Sequence, residues 1–107
     1  EVIKKYGAEI IRLWVSAEDY RNDIKISQDI LKQLTDGYRR IRNTFRFMLG
    51  NLSDFSYEAN AIPTDKMEEI DRFILHRLSG ISERVIKAYE TYDFHVVYHT
   101  IHTFCAV

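Results

Sequence analysis

The sequence lacks most of the features that would define a disulfide-bonded, basic or nucleotide-binding protein. Its 107 residues include one cysteine, Cys105, which cannot form an internal disulfide and therefore fits a reducing compartment. The net charge of -1 excludes the chain-wide basic surface typical of nucleic-acid-binding proteins, so any such surface must be local. No glycine-rich phosphate loop is present, and nucleotide binding within these residues therefore has no support.

Long apolar runs are also missing. No run approaches the roughly 20 residues that cross a bilayer, and the N-terminus lacks the charged-then-apolar pattern of a signal peptide. We therefore expect a soluble, cytoplasmic protein with no membrane partner. The chain begins without Met inside one periodic segment and stops inside another, which favours a piece of a longer protein. A length of 107 residues with 46% hydrophobic composition fits one domain with a modest core.

The strongest pattern is a helical periodicity over residues 27–52. Apolar residues recur there at alternating steps of three and four, the spacing that places side chains along one side of a helix. Ser27 is a good N-cap, and Gly50-Asn51 marks the end of the helix. Gly37 lies beside this apolar seam and would allow another backbone to approach closely. The seam consists of Leu31, Leu34, Tyr38, Ile41, Phe45, Met48 and Leu52.

A stripe of arginines follows the same helix about 100° around from the seam. It contains Arg39, Arg42 and Arg46, with Asn43 beside it and Arg40 farther round. Arginine presents a planar fork of donors that suits phosphate, so this row is a candidate track for a nucleic-acid backbone. The alternative is a solvated face whose charges pair with carboxylates of a neighbouring helix, and the spacing alone favours that alternative.

The region before the long helix is predicted to be short and partly irregular. Residues 2–6 have the spacing of one or two helical turns, Gly7 is a break, and a short helix begins near Ala8. Residues 16–23 are polar and predict a loop. Residues 24–26 alternate apolar and charged side chains, which is consistent with a short extended segment.

Two more helices are predicted after the long one. Residues 53–64, which contain the only proline, Pro63, form the connection. Thr64 is then the expected N-cap of a helix of roughly 27 residues, and Asp93 the expected cap of a last helix. Because short connections favour antiparallel neighbours, we expect an all-α fold, an up-and-down antiparallel helical bundle with a short irregular N-terminal segment at one end.

Two groups of residues could carry chemistry, and both are incomplete. His95, His99 and His102 share one face of the last helix, and two histidines four residues apart can hold a metal ion. No nearby carboxylate completes the set of four ligands, so we predict no metal site. His102 and Cys105 lie three residues apart, like a nucleophile and its base, but no third group orients them. We therefore predict no catalytic residue, and Cys105 is interpreted as a buried structural thiol.

Three stretches of the sequence carry a recognisable pattern. They are Lys5-Tyr6-Gly7-Ala8-Glu9 with Arg12-Leu13-Trp14-Val15, then Tyr38-Arg39-Arg40-Ile41-Arg42-Asn43-Thr44 with Arg46-Phe47, and finally Asp71-Arg72-Phe73 with Tyr92-x-Phe94-His95-x-Val97-Tyr98. Together they resemble the class I aminoacyl-tRNA synthetases for branched aliphatic amino acids. The second and third are most similar to the isoleucyl enzymes, although the valyl and leucyl enzymes share much of the pattern. The resemblance implies a junction after the catalytic domain, residues 1–26, and a truncated anticodon-binding helical bundle, residues 27–107.

The resemblance also implies what the parent protein does. The parent would be an enzyme that activates isoleucine with ATP and Mg and transfers it to its tRNA. Both class I catalytic motifs, His-x-Gly-His and Lys-Met-Ser-Lys-Ser, are absent, so these residues alone should be inactive and hold no cofactor. Their implied partners are the anticodon stem and loop of tRNA and the missing catalytic domain of the same chain. The expected RNA-binding residues are Arg39, Arg40, Arg42, Asn43 and Arg46.

A helical protein-interaction module is the competing hypothesis. Phe47 lies roughly opposite the seam, where a side chain would face water, so a second layer or a partner is expected to cover it. The near-neutral net charge fits this hypothesis too. The two hypotheses differ in salt dependence, because apolar docking changes little between low and moderate salt whereas binding to phosphates weakens.

Overall fold

The structure is a computed structural model that describes residues 1–106 and contains no strand within them. The predicted all-α fold class is therefore confirmed. None of the helices in this part of the chain is long and apolar enough to cross a membrane. Val107, where the last helix was expected to continue, lies outside the described residues. The helices are α1 (Val2–Tyr6), α2 (Ala8–Ala17), α3 (Gln28–Gly50), α4 (Tyr57–Asn60), α5 (Glu69–Glu90) and α6 (Phe94–Ala106), with a 3₁₀ turn at Thr64–Lys66.

Helix α6 lies at the centre of the packing. It contacts α2, α3 and α5, while α2 also packs on α3 and on α1. The two longest helices, α3 and α5, pack mainly on α6 rather than on each other. Three residues join α5 to α6, and this short connection makes the pair a helical hairpin, as the sequence predicted. The molecule measures 50 × 30 × 21 Å because both long helices extend beyond the region where the others pack.

Helix α3 begins and ends where its sequence predicted. The Ser27 side chain accepts a hydrogen bond from the backbone N–H of Ile30 at 3.2 Å, which satisfies one free donor of the first turn. At the other end, the N–H of Asn51 bonds back to carbonyls of the last turn. Gly37 is buried, and α6 passes beside it. The nearest atoms there belong to the side chains of Tyr98 and His102 rather than to the backbone of α6.

The prediction that Thr64 caps the second long helix is wrong. Thr64 opens the 3₁₀ turn instead, in which the N–H groups of Lys66 and Met67 bond to carbonyls three residues earlier. Met67 is extended, with φ -73° and ψ 152°, so the helix cannot continue through it. Helix α5 starts one turn later, at Glu69, and has 22 residues. Its first turn still contains the acids that favour the helix dipole.

The buried core joins the first 17 residues to α3 and α6. Its members come from α2, α3 and α6, and they pack with half-buried residues of α1. The N-terminal segment is thus more helical than expected, and residues 18–26 are its longest stretch without regular structure. The short extended segment predicted at residues 24–26 forms no strand in the described part of the chain. The core cluster is Ile10, Ala17, Leu31, Leu34 and Tyr98.

Two polar contacts fix the irregular stretch that follows α2. The indole Nε1–H of Trp14 donates to the carbonyl of Lys25 at 3.2 Å. The guanidinium of Arg21 bonds to the carboxylate of Asp19 at 2.9 Å and to that of Asp93, the residue before α6. Asp93 also accepts a hydrogen bond from the Thr91 hydroxyl at 2.7 Å. Arg21 therefore ties the stretch to the turn between α5 and α6.

The Arg21 contacts predict a pH-dependent stability. The Thr91 hydroxyl, and then Arg21, hold the pKa of Asp93 below its usual value, and hydrogen bonds from Arg21 do the same for Asp19. A carboxylate whose pKa is lowered by folding stabilises the folded state at pH values above its ordinary pKa of 3.8. This stabilisation is lost as the pH falls. We expect Arg21→Gln to lower the melting temperature at pH 7 and to have less effect at pH 3, measured by circular dichroism. Lys25→Gln, in the same stretch, is the control; an equal loss from Arg21→Gln at both pH values would contradict the prediction.

Candidate nucleic-acid interface

The arginine stripe lies on the outer side of α3, away from the packed core. Helix α3 has 23 residues and is about 34 Å long, and the stripe covers its middle and C-terminal thirds. The side chains of Arg39, Arg42 and Arg46 are all exposed. Steps of three and four residues place them in one row, and the first and last are separated by about 10 Å along the axis. The structure thus presents to solvent the row that the sequence predicted.

The ion pairs of the stripe are few. Arg39 approaches Asp36 at 3.5 Å, one turn earlier on the same helix, and both side chains are exposed. Within residues 1–106, no carboxylate lies within 4.0 Å of Arg40, Arg42 or Arg46. The alternative of pairing with a neighbouring helix therefore has no example in the described part of the chain. An exposed pair such as Arg39–Asp36 is weak, so it leaves most of the positive potential of the stripe in place.

Asn43 lies beside the stripe and is also exposed. Its side chain makes no hydrogen bond to any of the residues that the structure describes. The neighbouring Thr44 donates from its hydroxyl to the carbonyl of Arg40 at 3.0 Å, so it stays close to the helix. Asn43 thus keeps its amide donors and acceptor available to a ligand.

Large apolar side chains surround the stripe on the second half of α3. Phe47 is 74% exposed and Phe45 is 55% exposed, although Phe45 belongs to the seam. Met48 and Leu49 are exposed as well. An exposed aromatic ring among arginines is an arrangement that can stack an unpaired base while the guanidinium groups bind phosphate. The same rings could instead pack on another protein surface.

The three histidines of α6 do not act as one group. His102 stacks on the ring of Tyr98 at a centroid separation of 5.7 Å, close to Gly37. His95 and His99 line a cavity between α5 and α6, and His99 also lines a smaller pocket together with His102. The residues described include no group of three or more His, Cys, Asp or Glu side chains that could hold a metal ion. Cys105 is half-buried and free.

A second cationic surface was missed by the sequence reasoning. Arg77 and Arg84 of α5 line the same cavity as His95 and His99. The signal was present in the sequence, since these two arginines are seven residues apart with Gly80 between them, and this spacing places them on one helix face. Only the packing of α5 on α6 shows that the histidines lie across from them.

Comparison with known proteins gives relatives that share one name. The chain is 56% identical over all 107 residues to a protein of Geobacter sulfurreducens and 57% identical to one of Syntrophotalea carbinolica. It is 50% identical over the same length to a protein of Bacillus cereus. All three are named isoleucine–tRNA ligase. Over its whole length, this chain matches a segment of isoleucine–tRNA ligases. No protein-family model matches the chain.

The chain spans about 12% of the length of these ligases. Those relatives are enzymes by name, and most of each relative lies outside the matched segment. The sequence resemblance to isoleucyl-tRNA synthetases is thereby confirmed. The assignment of residues 1–26 to a junction and 27–107 to the anticodon-binding bundle stays a prediction. The packing of α2 on α3 and α6 shows that the two parts share one core.

Proposed function

We propose that this chain is the part of an isoleucine–tRNA ligase that binds the anticodon stem and loop of tRNA. The observation that carries the proposal is identity of 50% or more to ligases of this name along all 107 residues. The exposed row of arginines on α3 supports it, because that row supplies a local positive surface on a chain whose net charge is -1. The whole protein would join isoleucine to its tRNA in the cytoplasm.

The chemistry of the stripe suits the backbone of RNA. Each guanidinium presents several donors in a plane, and a phosphate offers the matching acceptor oxygens. Double-stranded RNA is bound mainly through its phosphates, 2′-hydroxyls and shape, so a row of arginines can follow the anticodon stem. We assign Arg39, Arg42 and Arg46 to phosphate contacts, with Arg40 and Asn43 at the margin of the same surface.

In this proposal, ATP and Mg take part in the reaction of the whole ligase and do not bind to the residues of this chain. The sequence contains no glycine-rich phosphate loop and neither of the class I catalytic motifs. ATP supplies the energy that activates the amino acid, and the remainder of the protein would hold it. The contribution of this chain would be to bind the tRNA and to contact the catalytic domain.

The proposal is tested by removing two arginines from the stripe. We expect Arg42→Ala with Arg46→Ala to reduce the slope of log Kd for isoleucine tRNA against log salt by about 1.4 to 1.8, which is two phosphate contacts at about 0.7 to 0.9 each. Affinity at low salt should fall roughly a hundredfold, because two charged hydrogen bonds are lost and each costs about 1.5 kcal/mol or more. Fluorescence anisotropy with labelled tRNA at several salt concentrations measures both quantities.

A charge-matched control separates the stripe from net charge. Lys66→Ala with Arg72→Ala removes the same charge from the region around the start of α5, and the slope should change little. An unaltered slope in the α3 variant, with its helix content intact by circular dichroism, would overturn the assignment. It would leave the arginines with a role in contacting the rest of the parent protein.

A protein-interaction function is the second candidate. The observation in its favour is the exposure of large apolar side chains on the second half of α3 and the first half of α5, including Phe47 and Ile70. If docking to a protein surface is the function, substitution of Phe47 should abolish the interaction at any salt concentration. If RNA is the partner, salt should dominate the affinity.

A further inference from the structure

The cavity between α5 and α6 has a volume of about 530 Å³, and its lining combines apolar side chains with several hydrogen-bond donors. Arg77 and Arg84 line it from α5, and His95 and His99 line it from α6. Two hydroxyls, those of Thr100 and Thr103, complete its polar lining, and no carboxylate is among the residues that form it. A pocket with several donors and no acid selects for an anion.

Neither arginine is engaged by another part of the described chain. Their side chains are exposed, and no carboxylate within residues 1–106 lies within 4.0 Å of either guanidinium. A separation of seven residues places them on one face of α5 and about 10 Å apart along its axis. Two guanidinium groups at this distance suit an extended chain of phosphates better than a single small anion.

Gly80 lies between the two arginines on the same face of α5. Glycine weakens the interior of a helix, so its presence needs a reason. A Cβ placed there would meet no atom within 4 Å, so packing within the described residues does not require glycine. The absence of a side chain instead leaves the bottom of the groove open between Arg77 and Arg84.

His95 lines the groove from α6 and is half-buried. Its Nδ1 is buried and makes no hydrogen bond to the described residues. His99 follows one turn later on the same face of α6, so both imidazoles border the groove.

We infer that this groove is a phosphate-binding site for RNA that is separate from the α3 stripe, with Arg77 and Arg84 binding consecutive parts of the backbone. The inference rests on the proposed tRNA-binding function and extends it to a second pair of helices. The hydroxyls of Thr100 and Thr103 would donate further hydrogen bonds to the phosphate oxygens. The groove would therefore add affinity without reading bases.

The experiment uses the full-length ligase and isoleucine tRNA. Arg77→Gln with Arg84→Gln should raise Kd at least roughly tenfold and reduce the salt slope by about 1.4 to 1.8. Lys66→Gln with Arg72→Gln is the charge-matched control, since neither residue lines the groove. Gly80→Leu tests the shape of the groove without removing a charge, and it should weaken binding while the helix content and melting temperature are maintained or increased.

The outcomes separate this inference from the proposed function. If the wild-type ligase binds isoleucine tRNA and the α3 variants weaken it, but the Arg77/Arg84 and Gly80 variants bind like wild type, the groove inference is wrong and the proposed function stands. If the wild-type ligase shows no salt-sensitive binding, both are wrong. Titration with inorganic pyrophosphate tests a small anion instead. Pyrophosphate binding that requires Arg77 and Arg84, with unchanged affinity for tRNA, would overturn RNA as the occupant.

Discussion

Replacing Leu31 with alanine is expected to lower the free energy of unfolding by about 2–4 kcal/mol, whereas replacing Phe45 should lower it by about 1 kcal/mol or less. Both residues belong to the same apolar seam of α3. Leu31 is only 3% exposed and lies in the core, so its truncation leaves a cavity among α2, α3 and α6. Phe45 is 55% exposed, so most of its ring already contacts water. Alanine also favours the helix slightly more than phenylalanine does.

Urea unfolding of the two variants, followed by circular dichroism, measures this difference. The midpoints should shift while the slope with urea stays the same, because neither substitution changes the surface that unfolding exposes by much. Similar losses at the two positions would contradict the packing described here. They would mean that another surface covers the second half of α3, either a second copy of the chain or a rearranged α5.

The seam shows what periodicity can and cannot predict. Steps of three and four residues correctly identified the side of α3 that faces the core, because that spacing is a property of a single helix. They could not show how far along α3 the neighbouring helices bury this side. Burial depends on the neighbouring helices, and the packed part of α3 includes Leu31 and Leu34 but not Phe45 or Met48.

A capping residue correctly predicted the start of a helix where no other turn competed for the same backbone groups. The Ser27 cap of α3 is confirmed by its hydrogen bond to Ile30. Thr64 also has a side chain that can cap a helix, although threonine is a weaker cap than serine. It follows Pro63, and the backbone N–H groups after it form a 3₁₀ turn instead of the first turn of an α-helix. The choice between these two conformations depends on small differences in backbone energy that residue type alone does not specify.

The two candidate sites differ in how far the sequence predicts them, because one lies on a single helix and the other depends on packing between helices. The α3 stripe was predicted from sequence because all its residues lie on one helix. The groove depends on the packing of α5 on α6, whereas in the sequence His95 and His99 stand with His102 only as an incomplete set of metal ligands. Contacts between elements, such as the bond from Arg21 to Asp93, were likewise visible only in the folded chain.

Gly37→Ala is expected to destabilise the protein by about 1–3 kcal/mol, although alanine favours a helix interior over glycine by about 1 kcal/mol. A Cβ at Gly37 would lie 2.5 Å from the Tyr98 hydroxyl oxygen and 3.1 Å from Cδ2 of His102. Tyr98 is buried in the core and stacked on His102, so its ring cannot move without disturbing the core. Gly80→Ala is the matched control in α5. No atom lies within 4 Å of its Cβ, and it should stabilise by up to about 1 kcal/mol.

The cause of the Gly37→Ala loss can be isolated with Tyr98→Phe. Removing the hydroxyl opens the space that the new methyl group needs, so the double variant should recover at least half of the stability lost in Gly37→Ala. The cycle is measured at pH 7, because burial raises the pKa of Tyr98 above its ordinary value of 10.0 and the phenol is then neutral in both states. The stabilisation that requires a neutral phenol at Tyr98 is complete below pH 10 and is lost at higher pH. Tyr98→Phe should not show this loss. If the two losses simply add, the backbones of α3 and α6 must resist the methyl group themselves, and Gly37 would then set the distance between the two helices.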